Sequence, residues 1–292
     1  MLTKDELQKK IQDGLRFLDG ATGSNLRAAG MPVGVHTEEW VLAHPEVLID
    51  LQKRYAEAGC QIIYASTFQA QPIALEEICL QNQTEAVNAQ LVALSRAAAP
   101  GCLIAGDMTT LTAFCDSWDP DNFDLLVENY RRQIHGLIDG GADLLIAETL
   151  MYEQEAEAIL VAADMENAGA AMFSFTMQPD GTLFSGPDGA QVLSKLEDGG
   201  AAAVGFNCAT GDIMTPYLVT HLRKSVRGPL ICKPNAGLPT IGRDGVARYH
   251  MTPEEFADLM ASCRKNGGDL LGGCCGTTPA HMRAMIERLG EN

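Results

Sequence analysis

The apolar positions of this chain gather in short continuous runs, and each run is followed by a longer stretch with apolar residues three and four apart. Eight runs recur: RFLDG (16–20), QIIYAST (61–67), CLIAGD (102–107), DLLIAET (143–149), AMFSFTM (171–177), AAVGFNC (202–208), PLICKPN (229–235) and DLLGGCC (269–275). A run that is apolar at successive positions suits a strand covered on both faces, as in a parallel sheet flanked by helices. The intervening stretches read as amphipathic helices with marked ends. HPEVLIDLQKRYAEAG puts Pro45 in its first turn and Gly59 just past its last. TPEEFADLMASCRKNGG offers Thr252 as a cap, Pro253 in the first turn and acidic residues near the positive end of the helix dipole. NFDLLVENYRRQIHGLIDGG repeats the same apolar spacing, and a short charged helix is expected at about residues 3–13.

Eight strand and helix pairs in 292 residues, with no linker-like break, predict a single-domain α/β protein, a (β/α)8 TIM barrel spanning residues 1–292. A doubly wound open sheet is the alternative. It usually has fewer units and a GxGxxG loop after its first strand, and DGATGSN lacks the third glycine at that spacing.

Composition narrows the function classes. No run approaches 18 apolar residues, and the amino terminus lacks the apolar centre and cleavage site of a signal peptide, so no membrane span and a cytoplasmic location are expected. A net charge of -17 argues against a surface that tracks nucleic-acid phosphates. The nine cysteines, at 60, 79, 102, 115, 208, 232, 263, 274 and 275, lack the spacing of a small disulfide scaffold. In a reducing compartment they are thiols, and any that cluster are metal ligands or catalytic groups before they are disulfides.

In a barrel of this kind, chemistry collects at the carboxyl ends of the strands. Those ends carry Asp19 and Gly20, Ser66 and Thr67, Asp107, Glu148 and Thr149, Thr176, Asn207 and Cys208, Pro234 and Asn235, and Cys274 and Cys275. Cys208 ends the sixth run and the cysteine pair ends the eighth, so three thiols face one opening, with Asn235 between them. Three thiolates and an open fourth position match a catalytic zinc site. The glycines of GGCCG let consecutive residues turn toward one ion, which a regular strand forbids. Plainer readings exist: a vicinal disulfide between Cys274 and Cys275, or three cysteines buried as small apolar groups. Asp19 and Glu148 could equally cap helices or hold loops. The other six cysteines read as packing residues, and His36, His44, His135, His221, His250 and His281 show no metal spacing.

DGATG, STF after the second run, AET after the fourth, GFNC after the sixth, PNAG after the seventh and GGCCGTTP after the eighth together resemble the zinc-dependent homocysteine S-methyltransferase family, over nearly the whole chain. The resemblance implies one zinc ion per chain on Cys208, Cys274 and Cys275. It also implies a homocysteine pocket lined by Asp19, Gly20, Ala21, Thr67 and Glu148, with the carboxylates receiving the ammonium group. Asn235 matches a family position that approaches the zinc when substrate is absent. The chemistry is consistent: a thiol of pKa around 8.5 is mostly protonated at neutral pH, only its thiolate attacks a methyl group, and zinc coordination removes that proton. Two departures lie at the mouth. The turn after the third run reads GDMTTLTAFCDSW where relatives carry a Gly-Pro-rich turn, and Ser66 replaces the usual Asn before TF.

The chain ends at Asn292 directly after its last helix, so no attached folate-binding or corrinoid-binding domain is expected. PNAGLPTIGRDGVARYHMTPEEFA is most similar to the homocysteine-binding module of cobalamin-dependent methionine synthase, which implies methylcobalamin on a partner corrinoid protein as donor. A small cationic donor, S-methylmethionine or betaine, is the enzymatic alternative. Such cations favour aromatic cages, and of the two tryptophans, Trp40 and Trp118, the second follows the third run. A non-catalytic zinc or thiol carrier, or a redox sensor using the vicinal pair, is the alternative of another class. Nothing in the sequence sets the oligomeric state.

Overall fold

The computed structural model of the chain describes residues 1–209, 211–242 and 246–290. Its strands are β1 (Ile62–Tyr64), β2 (Leu103–Thr109), β3 (Leu144–Leu150), β4 (Ala171–Phe175), β5 (Ala203–Asn207), β6 (Leu230–Lys233), β7 (Thr240–Ile241), β8 (Ala247–Arg248) and β9 (Leu270–Leu271). All except β7 and β8 join one seven-stranded parallel sheet in chain order, with helices between successive strands, while β7 and β8 pair as a small antiparallel ribbon.

The two edges of the sheet meet the same segment. Phe17 makes a parallel bridge to Leu271 in β9, and Leu18 makes one to Ile62 in β1. The sheet is therefore curled, an α/β architecture of the TIM-barrel-like kind. Residues 16–20, expected as a strand, make two isolated bridges instead of a regular ladder. Only Phe17 and Leu18 of that run are apolar enough to lie in the wall. The next residue turns its side chain into the ladder, where Asp19 Oδ2 accepts the Tyr64 amide at 2.8 Å.

Within each continuous apolar run, alternate residues serve two cores, as the pleat requires. Leu18, Ile62, Tyr64, Leu144, Ile146, Met172, Ile231 and Leu270 fill the inside of the curl. Ile63, Leu145, Phe173, Val204 and Cys232 point outward against the helices. The helix ends behave as their sequences suggest. Pro45–Ala58 starts on Pro45 and stops at Gly59, whose φ of 104° only glycine adopts freely. Pro253–Lys265 is opened by a Thr252–Glu255 capping box.

The amino-terminal helix Lys4–Gln12, close to its expected span, closes one end of the curl. Leu7 joins the inner core, Leu2 exchanges backbone hydrogen bonds with Asp143 and Ala170, and Gln8 Nε2 donates to the Ala202 carbonyl at 3.1 Å. Residues 143, 170 and 202 immediately precede β3, β4 and β5, so this helix covers the amino ends of the strands. The carboxyl ends are left for the cavity. Among the described residues, no helix is long and apolar enough to cross a membrane.

Candidate metal centre

At the carboxyl ends, Cys208 follows β5 while Cys274 and Cys275 follow β9, and their three sulfurs lie within 4.8 Å of one another. Cys208 Sγ and Cys275 Sγ are 3.6 Å apart. Tetrahedral thiolates about 2.3 Å from one zinc ion stand about 3.8 Å from each other, so the donor set and its spacing both fit that ion. All nine cysteines are free thiols, so Cys274 and Cys275 form no vicinal disulfide. Hydrogen bonds from Cys208 and Cys274 pull the Cys275 thiol down to about 3, while its bonds to Cys274 and Cys275 push Cys208 upward. The cluster thus favours a single thiolate, on Cys275, while Cys208 and Cys274 are shifted toward the thiol form.

Backbone geometry delivers these thiols. Cys208 has a φ of 53° and Thr149 a φ of 61°, left-handed values that non-glycine residues rarely hold and that cluster at functional sites. Asn207 fixes both. Its Oδ1 accepts the Thr149 amide at 2.7 Å and the Ser174 hydroxyl at 3.0 Å, and its Nδ2 donates to Thr149 Oγ1 at 2.7 Å and reaches Cys274 Sγ at 3.8 Å. On the other side, the Cys274 amide donates to the Pro234 carbonyl at 2.8 Å and the Ala236 amide to the Cys275 carbonyl at 2.9 Å. Gly273, just before the cysteine pair, is required, because a Cβ there would lie 2.5 Å from the Thr277 side chain that ties the turn to Ala21.

The thiols open onto a cavity of about 380 Å³ whose wall carries Asp19, Glu38, Asp107, Glu148 and Lys233. Lys233 ends β6 and is buried, with Nζ 3.2 Å from Asp19 Oδ1, 3.5 Å from Glu148 Oε2 and 3.5 Å from the centre of the Tyr64 ring. Burial raises the pKa of Asp19, raises that of Asp107 well above the carboxylate range, and lifts Glu148 to about 7. Burial works against the Lys233 charge, but Glu148 and Asp19 more than offset it and hold the ammonium charged. Glu38 is engaged separately, its Oε1 accepting the Gln69 amide at 2.7 Å and its Oε2 lying 3.0 Å from His36 Nδ1.

Most of the residues expected from sequence come together here. Cys208, Cys274, Cys275, Asp19, Gly20, Ala21 and Glu148 all border the cavity. Thr67 is fully buried behind its wall, its hydroxyl donating to the Asp107 carbonyl at 2.8 Å and accepting the Asp107 amide at 3.0 Å. Asn235 lies beside Cys208, donating to its carbonyl at 3.2 Å, with Oδ1 buried and without a hydrogen-bond partner. Trp118 is half exposed and leans on Tyr152, and Trp40 stacks on His44; neither borders the cavity. Sequence reasoning missed Lys233 and Tyr64 and left Asn207 and Asp107 as ordinary strand ends. Lys233 alone carried a visible signal, a lysine inside an apolar run, where burial without a partner is rare.

Known proteins share this fold. The homocysteine methyltransferase MmuM of Escherichia coli, in its metallated form, superposes with a TM-score of 0.81 at 26% identity, over 96% of this chain and 99% of that one. The methionine synthase of Mycobacterium tuberculosis is 29% identical over 306 residues, covering 98% of this chain and 25% of that protein. The methionine synthase of Mycobacterium leprae is 29% identical over 94% of this chain and 24% of its own length. This chain thus spans about a quarter of the length of those two relatives. The sequence model described as homocysteine S-methyltransferase matches residues 16–289, and the chain therefore belongs to the homocysteine S-methyltransferase family.

Proposed function

We propose that this chain transfers a methyl group to the thiol of L-homocysteine, giving methionine, from a single (β/α)8 barrel domain over residues 1–292 in which residues 16–20 act as the eighth stave. The observation that carries the reading is the set of three sulfurs within 4.8 Å of one another at the mouth of an acidic cavity. Cys208, Cys274 and Cys275 would hold one zinc ion per chain, with Asn235 beside them. When bound, that ion supplies deprotonation of the substrate thiol at neutral pH. The chain's own residues do the rest. The buried carboxylates attract an ammonium group, and Gly20 and Ala21 line the approach to the thiols. The thiolate lone pair forms the new carbon–sulfur bond while the methyl–donor bond breaks, its electron pair staying with the donor. A reducing compartment such as the cytoplasm suits nine free thiols.

For the donor we infer methylcobalamin on a separate corrinoid protein. The segments that follow β5 and β6 expose Ile213, Tyr217 in the helix Thr215–Arg223, Leu238 and Ile241 in β7, an apolar display that suits a macromolecular partner more than a small cation. Trp118, the tryptophan that could have offered an aromatic face to S-methylmethionine or betaine, does not border the cavity. Zinc-edge X-ray absorption on the purified protein tests the central reading. Addition of L-homocysteine is expected to convert a three-sulfur shell into a four-sulfur one, and Cys208→Ala to lose the metal and turnover together. A shell indifferent to homocysteine would favour a zinc or thiol carrier instead.

A further inference from the structure

One of the three thiols has a neighbour that methyl transfer as described leaves unused. Tyr249 follows β8, borders the cavity and is half-buried. Its ring lies against the cysteine turn. Gly276, the residue after Cys275, has a φ of 82°, and a Cβ there would stand 2.3 Å from Tyr249 Cγ. Glycine is therefore needed twice over, for the left-handed turn and to admit the ring. From this place the phenol hydroxyl donates a hydrogen bond to the Cys275 sulfur.

The chain on either side of Tyr249 is fastened, and much of the fastening leads back to the same turn. Before it, Arg248 in β8 pairs with Thr240 in β7, and His250 Nε2 lies 2.7 Å from Thr240 Oγ1. After it, the Met251 amide donates to the Ala236 carbonyl at 3.3 Å, and the Ala236 amide donates to the Cys275 carbonyl at 2.9 Å. His281 adds a second path. Its Nε2 donates to the Met251 carbonyl at 2.9 Å, so Nδ1 is the acceptor for the Thr278 hydroxyl at 2.9 Å and the Thr278 amide at 3.2 Å. Thr278 and His281 belong to GTTPAH, the stretch directly after the cysteine pair. A tyrosine held at both ends in this way has its hydroxyl aimed at the sulfur instead of being left to find a partner in solvent.

We propose that Tyr249 is a positioning residue of the metal centre, whose hydroxyl, bonded to Cys275 Sγ, fixes the direction of that ligand and withdraws part of its charge. The proposal rests on the zinc reading above and adds to it a group that touches a ligand rather than the ion. A metal-bound thiolate keeps lone pairs that accept hydrogen bonds, and a bond to an ionised acceptor is about twice as strong as one between neutral groups. Partners behind the ligands orient them and tune their donor strength. A phenylalanine would pack on Gly276 equally well, so the hydroxyl is the part of Tyr249 that the sulfur uses.

Tyr249→Phe removes that hydroxyl and keeps the ring. Zinc affinity, read by chelator competition on the purified protein, should fall about tenfold, as for other groups that hold a metal ligand. The cobalt-loaded protein gives a second readout. Its sulfur-to-cobalt charge-transfer band should move to longer wavelength in Tyr249→Phe, because a sulfur relieved of a hydrogen bond releases its electrons more readily, while X-ray absorption still counts the three protein sulfurs. A Tyr249→Phe protein with wild-type affinity and an unmoved band overturns the proposal. Tyr249→Leu, which removes the ring as well, separates packing from bonding. An equal band shift in both variants supports the hydroxyl's role, and a shift confined to Tyr249→Leu refutes it. If the wild-type protein takes up neither zinc nor cobalt, the metal reading fails and this assignment falls with it.

Discussion

Asn207 bears more of the site than its place in GFNC suggests. One side-chain amide holds the strained Thr149, bonds Ser174 and reaches Cys274, so three strand ends are registered through it. Asn207→Ala leaves the Thr149 amide and the Ser174 hydroxyl without their acceptor, at a cost of about 1–3 kcal/mol. Because groups behind metal ligands set their orientation, the same change should weaken zinc by roughly 10- to 100-fold, read by chelator competition. Glu148 gives a pH prediction. Burial, aided by Cys274 and Asp19 and opposed by Lys233, lifts it to about 7, with Asp107 and Tyr64 also facing it. Below that value it carries a proton and cannot pair with an ammonium. The preference for L-homocysteine over 4-mercaptobutyrate, which lacks the amine, should therefore rise from pH 6 toward pH 8 and flatten above about 7, with the thiol contribution common to both ligands. Cysteine identity and spacing were legible at this scale. The lysine among the acids was not, because a sequence records which strand carries a residue but not which carboxylates the curl brings to it.

At the scale of elements, seven of the eight expected runs form ladder strands, because an uninterrupted apolar run of this length suits a wall with a core on each side. Run 16–20 gives only bridges, since Asp19 spends its side chain on the Tyr64 amide at the point where a strand would spend its backbone. The amino-terminal helix was legible as a helix from its charges, but its role as the cover of the strand amino ends was not. Leu7, fully buried in the inner core, is the anchor of that cover. Leu7→Ala should cost about 2–5 kcal/mol in urea unfolding. It lies at the end of the curl opposite the cysteines, so L-homocysteine affinity should be unchanged in the protein that remains folded.

Over the whole molecule, the order of motifs along the chain was enough to indicate the family and the three thiols, because strand ends repeat in sequence and the curl sends every one of them to the same mouth. Local pattern likewise determined the helices, their caps and the two-sided burial of the strands, since propensity, turn chemistry and periodicity act over a few residues. What the tertiary structure alone decided were the contacts that cross the curl. Lys233 meets Asp19 and Glu148, Asn207 joins Thr149 to Cys274, and Asp107 is left facing the cavity unpaired. These depend on register between strands and on which side chain reaches the interior first, and both are set only when the sheet closes toward its own edge.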